Sequence, residues 1–182
     1  MSLFLGTLNA QITPTSFMSK VDFYSGDTNN EIAIHDIDGD GKKDMIVLNP
    51  GQNDMAIFRN ISSSGSITSG SFASPQYFSA VFAPSAVAIA DMDADGKPDI
   101  VVTGIASGAT SVYKNTSSVG SISLASKVDF NSAGAAYGVT IGDVDGDGKP
   151  EIIAAVGSSN QISILQNTTT SGIINSSSFA AK

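Results

Sequence analysis

An all-β fold built from repeated four-stranded antiparallel blades, the unit of a β-propeller, is what this sequence predicts, and three observations predict it. First, one acidic nine-residue pattern, D-h-D-x-D-G-K-x-[DE], occurs three times, starting at Asp36, Asp91 and Asp143. Second, those starts lie 55 and 52 residues apart, and the same intervals separate Phe23, Phe78 and Phe130; Asn60, Asn115 and Asn167; Gly65, Gly120 and Gly172; and Ile67, Ile122 and Ile174. One structural unit is therefore used three times. Third, 18 glycines, abundant Ser, Thr and Asn, and no tryptophan fit many short strands and turns better than helices.

The elements follow in order. Glu31-Ile32-Ala33-Ile34-His35 alternates with period two and reads as a strand running into the first acidic loop. Met45-Ile46-Val47-Leu48 follows as a continuous apolar run, suited to a central strand buried on both faces. Residues 55–58 supply a third strand. The second unit repeats this at 86–90, 100–102 and 111–113, and the third at 138–142, 152–156 and 162–165. After a Ser/Thr/Gly turn, the segments ending at Phe23, Phe78 and Phe130 supply the fourth strand. Four antiparallel strands per 52 to 55 residues make one propeller blade.

The three-residue shortening falls between Ile122 and Leu124, so it is confined to one connection. Unit boundaries fall at 17–71, 72–123 and 124–178; residues 1–16 read as the end of a preceding unit and 179–182 as the start of another. Residues 3–10 also read as the tail of a signal h-region with cleavage after Ala10, although no basic segment precedes them, and Met1-Ser2-Leu3 reads equally as a cloning remnant.

Carboxylates at every second position of a loop repel one another unless a hard cation sits among them, and an all-oxygen set of this kind points to calcium. Side-chain oxygens at positions 1, 3 and 5, a backbone carbonyl at 7 and a carboxylate at 9 form the expected cage. In the first loop these are Asp36, Asp38, Asp40, the carbonyl of Lys42, and Asp44. In the second they are Asp91, Asp93, Asp95, Lys97 and Asp99; in the third, Asp143, Asp145, Asp147, Lys149 and Glu151. Gly41, Gly96 and Gly148 at position 6 permit the sharp turn. An EF-hand would place a Glu at position 12, where this chain has Val47, Val102 or Ala154 in strands. About three calcium ions are expected, with stabilisation as their role.

Twelve of the 17 acidic residues lie in these loops and account for most of the net charge of −8. Three divalent ions would bring it to about −2. Nine basic residues form no patch, which argues against nucleic acid. No apolar run approaches the roughly 20 residues of a membrane-spanning helix. Without cysteine there are no disulfides, no thiol chemistry and no thiolate metal sites. His35 is the only histidine, in a position filled by Ala90 and Gly142 elsewhere, and reads as a strand-end residue; no catalytic residue is assigned. Arg59, with Lys114 and Gln166 at its repeat positions, reads as polar surface. The sequons at Asn60, Asn115, Asn167 and Asn175 read as turn chemistry.

On these residues, above all Ile89-Ala90-Asp91-Met92-Asp93-Ala94-Asp95-Gly96-Lys97-Pro98-Asp99-Ile100-Val101-Val102, the chain resembles the FG-GAP, or VCBS-type, repeats of integrin-like β-propellers. The Phe-Gly and Gly-Ala-Pro elements are poorly kept, with Phe82-Ala83-Pro84 alone similar to the second, which favours the bacterial branch. The resemblance implies a secreted or cell-surface module for binding, adhesion or scaffolding, with a glycan or protein ligand. Its alternative is the propeller part of a carbohydrate-active enzyme whose catalytic residues lie elsewhere. Three units leave unpaired edges, so the remainder of a longer chain or a homo-oligomer is expected to complete the ring.

Overall fold

The computed structural model describes residues 13–16, 18–132 and 134–181, and in it the strands form three four-stranded antiparallel sheets. The first blade is β1 (Glu31–His35), β2 (Asp44–Asn49), β3 (Asp54–Phe58) and β4 (Gln76–Ser79). The second is β5 (Pro84–Ala90), β6 (Asp99–Gly104), β7 (Ala109–Tyr113) and β8 (Val128–Asn131). The third is β9 (Ala136–Gly142), β10 (Glu151–Val156), β11 (Gln161–Asn167) and β12 (Phe179–Ala181). Strand order follows the chain in every sheet, as a meander. Beyond the strands there is one short 3-10 turn, Pro14–Ser16.

The apolar runs after the loops are the second strands, β2, β6 and β10, and six of six residues of β6 are buried. They bury on both faces because blades stack face to face. In the first blade, Ile46, Leu48, Met55 and Ile57 point one way and pack with Ile100, Val102 and Tyr113 of the second. From the second blade, Val101, Val112 and Phe130 pack with Ile152 and Leu165 of the third. Each blade thus has a front, carrying Met45, Ile100 or Ile152, and a back, carrying Ile46, Val101 or Ile153. The front of one packs on the back of the one before it. Polar links tie the innermost strands: Asn30 donates to the Pro84 carbonyl at 3.1 Å, and Ser85 to that of Ala136 at 2.6 Å.

One expected strand is not formed. The segment ending at Phe23 has no strand structure, because a fourth strand needs the edge of a third strand in its own blade and none precedes it among the described residues. Phe23 still meets Phe72 edge-on, with ring centroids 5.1 Å apart, as Phe130 meets Phe179 at 5.0 Å. The boundaries at 72, 124 and 179 fall in the connections before β4, β8 and β12 or at their start. Each sheet therefore takes its fourth strand from beyond its sequence unit. The signal-tail reading of residues 3–10 and most of the preceding unit at 1–16 lie outside the described residues. Among the described residues no helix is long and apolar enough to cross a membrane.

Candidate metal centres

Each acidic loop joins the first and second strands of a blade, and the local hydrogen bonds explain its shape. The position-1 carboxylate caps the turn: Asp36 accepts from the amides of Gly39 at 2.8 Å and Gly41 at 2.9 Å, and Asp143 from Gly146 at 2.7 Å and Gly148 at 3.0 Å. Asp91 does the same for Asp95 at 3.1 Å and Gly96 at 2.8 Å. Position 6 lies in the left-handed region, at φ 86° for Gly41, 85° for Gly96 and 86° for Gly148, where a Cβ would be strained. Position 5 accepts from the amide at position 7, with Asp40 to Lys42 at 2.8 Å, Asp95 to Lys97 at 2.9 Å and Asp147 to Lys149 at 2.8 Å.

Position 9 is a clamp. One Asp44 oxygen accepts from the Ile37 amide at 3.0 Å and the other from Asn60 at 2.8 Å, tying the loop to the end of β3. Asp99 holds Met92 and Asn115 at 2.9 and 2.8 Å, and Glu151 holds Val144 and Asn167 at 3.0 and 3.4 Å. All three clamp residues are fully buried. Burial raises the Asp99 pKa to about 6 against two stabilising amides, with Asp93 adding repulsion. The same burial raises Asp44.

Three groups of carboxylates converge so that one oxygen from each lies within 4.8 Å of the others: Asp36, Asp38 and Asp40; Asp91, Asp93 and Asp99; and Asp143, Asp145 and Glu151. Asp44, Asp95 and Asp147 stand outside the converging three of their own loops. Of the residues chosen for their carbonyls, Lys97 and Lys149 send their ammonium groups to the Ser117 and Thr169 carbonyls at 2.7 and 2.9 Å, and Lys42 is exposed. His35 ends β1 with its ring Nδ1 3.3 Å from the Asp36 carbonyl oxygen, a strand-end position.

Two sets of residues do more than their sequence pattern indicates. Lys114, at the repeat position of Arg59, folds back onto its loop: its ammonium donates to Asp93 at 2.6 Å and also to Asp95, and against the desolvation of both groups this pairing lowers the Asp95 pKa and raises that of Lys114. Its counterpart Gln166 donates to Asp145 at 2.9 Å. The recurrence at positions 59, 114 and 166 was visible, but it does not say that the side chain folds back onto a loop. Asn115 and Asn167 are latches between blades. Asn115 Nδ2 donates to Pro98 of its own loop at 2.9 Å and to Ile37 of the first loop at 2.8 Å; Asn167 donates to Pro150 at 3.0 Å and Met92 at 2.9 Å. Both are 1% exposed with their amide hydrogens used, so as folded these two sequons serve packing.

Against known families, residues 36–102 and 91–154 each match the FG-GAP-like repeat. The chain belongs to the FG-GAP-like repeat family. Each match runs from position 1 of one acidic loop into the second strand of the following blade, so an FG-GAP-like unit contains two loops and the blade seam between them. No curated protein and no solved structure gives a significant match.

Within these FG-GAP-like repeats the second loop holds a buried carboxylate oxygen without a partner. Asp93 is 1% exposed, and its Oδ1 has no hydrogen-bond partner. A buried carboxylate oxygen left unpaired is costly; the other Asp93 oxygen is paired with the Lys114 ammonium, and Asp91 and Asp99 converge beside it. The donor set is oxygen throughout, which suits calcium or another hard cation and not a soft one.

Proposed function

We propose that this chain is a noncatalytic, calcium-stapled blade module of a secreted or cell-surface protein, serving in binding, adhesion or scaffolding. The observation that carries the reading is the convergence of three carboxylates in every loop, at positions 1, 3 and 5 in the first and at 1, 3 and 9 in the second and third, with the buried Asp93 Oδ1 of the second left unpartnered. The residues that would hold the ions are Asp36, Asp38, Asp40 and Asp44; Asp91, Asp93, Asp95 and Asp99; and Asp143, Asp145, Asp147 and Glu151, with the carbonyls of Lys42, Lys97 and Lys149. Calcium, when bound, supplies charge neutralisation and cross-linking. The chain supplies the frame: amides cap the loop, the position-9 carboxylate ties it to the third strand, and the Asn latch ties it to the next blade.

Extracellular calcium is abundant enough to serve as a staple where disulfides are absent. The ligands such a module presents to are glycans or proteins, and glycan-array binding with and without calcium identifies the class. The metal reading is tested by melting the protein in calcium and in chelator. A ligand at 100 times its Kd contributes about 2.7 kcal/mol per site to the folded state. The Tm is therefore expected to rise by roughly 5 °C or more in calcium, and an unchanged Tm would remove the metal from the account.

A further inference from the structure

The chain carries four Asn-X-Ser/Thr sequons, beginning at Asn60, Asn115, Asn167 and Asn175. The first three share one repeat position, and each uses its side-chain amide inside the fold. Asn60 Nδ2 donates to the Lys43 carbonyl at 2.9 Å, while Asn115 and Asn167 each bridge two carbonyls. Asn175 differs on both counts. It lies on the connection between β11 and β12 and is exposed together with Ser176 and Ser177. Its Nδ2 has no hydrogen-bond partner among the described residues.

The oxygen of that side chain is occupied instead. Asn175 Oδ1 accepts from the Ser177 amide at 2.9 Å and from the Ser177 hydroxyl at 2.7 Å, so the third residue of the sequon is held against the first. The backbone is pinned as well, with the Asn175 amide donating to Ser178 Oγ at 2.8 Å and the Ser178 amide to the Asn175 carbonyl at 3.0 Å. The turn does not call for an asparagine. Thr68 occupies the same place in the stretch from Ile67 to Phe72, where its amide donates to Ser71 Oγ at 2.8 Å and its Oγ1 accepts from the Gly70 amide at 3.3 Å. A hydroxyl is therefore sufficient for the turn, and the amide nitrogen of Asn175 is additional to it. In the second blade Ser123 follows Ile122 as Asn175 follows Ile174. Thr68 and Ser123 are both exposed with the following blade in place, so the exposure belongs to this connection in every blade.

We infer that Asn175 is an acceptor for an N-linked glycan, and that the three sequons at the repeat position are closed to this chemistry in the folded chain. The donor class is a sugar activated as a glycosyl pyrophosphate, carried on a lipid or on a nucleotide. In the transfer, Asn175 Nδ2 attacks the anomeric carbon, and the new C–N bond forms as the C–O bond to the pyrophosphate breaks. The pyrophosphate leaves with the electron pair, and a base of the transferase takes one Nδ2 proton. Asn115 and Asn167 are 1% exposed, so a transferase reaches their nitrogens only after the latches between blades have opened. With a lipid-linked donor the inference rests on the secreted or cell-surface reading; with a nucleotide-linked donor it stands without it.

The test presents the folded full chain to two systems, an oligosaccharyl transferase with a lipid-linked oligosaccharide and a soluble N-glycosyltransferase with a nucleotide sugar. Peptide mapping by mass spectrometry locates the product. Sugar is expected on Asn175 and not on Asn60, Asn115 or Asn167, although short synthetic peptides spanning those three sequons are modified. Asn175→Thr, which copies the Thr68 turn, should keep the Tm of the wild type and lose the modification, whereas Ser177→Thr should retain it. In protein isolated from its own cells, an oligosaccharide on Asn175 identifies the lipid-linked donor and a single sugar the nucleotide-linked one. A single sugar on Asn175 of a chain found in the cytoplasm would remove the secreted reading and leave this proposal standing. Bare Asn175 in the isolated protein, a folded chain that neither system modifies, or equal modification of Asn115 and Asn167 in the folded chain would each overturn it.

Discussion

At the scale of single residues, Lys114 is the most informative side chain in the loops. Its ammonium occupies the carboxylates that a cation at the second loop would use, through Asp93 and Asp95. In the third loop the neutral Gln166 stands at that position. A fixed positive charge a few ångströms from a divalent site opposes binding even when partly screened. Lys114→Gln should tighten calcium at the second loop by roughly tenfold, about 1.4 kcal/mol, in competition with a fluorescent chelator. Weaker binding would show that Lys114 helps to build the site.

Asp99 gives the pH dependence. Its folded pKa of about 6 lies above the ordinary carboxylate value, chiefly through burial, so the metal-free folded state takes up a proton there more readily than the unfolded chain does. Stability in chelator should rise as pH falls from 7 towards 5. Calcium must displace that proton, so its affinity should fall below pH 6. Calorimetric melts across this range with and without calcium check both signs.

Among the elements, the seams between blades depend on the Asn latches. Asn115→Ala would strand the Ile37 and Pro98 carbonyls and cost about 2 to 3 kcal/mol. Asn60→Ala, whose side chain donates to the Lys43 carbonyl within its own blade, should cost about 1 kcal/mol in the same urea titration. Nine strands could be read from local patterns, because period-two runs and apolar runs are properties of a few neighbouring residues. The Phe78 and Phe130 strands followed from the repeat. The same repeat gave a strand at Phe23, where the structure has none, since pairing depends on an edge distant in sequence. The loops' positions were legible for a related reason: their spacing is local. What Lys114 and the Asn latches do was not, because their partners lie 17 to 78 residues away.

For the whole molecule, stacking is directional, and each seam repeats the same front-on-back contact. The acidic loops sit beside the seams: Asp38 accepts from the Gly120 amide of the next blade at 3.0 Å, and the Asp93 carbonyl from Gly172 at 2.8 Å. Neutralising a loop therefore reinforces a blade and its neighbour together. The measurement that tests this most directly is isothermal titration of calcium into chelator-stripped protein. The account predicts about three sites in the wild type and the loss of one in an Asp38→Ala, Asp40→Ala double variant, with the other two retained. No heat of binding in the wild type, or three sites surviving in the double variant, would contradict it.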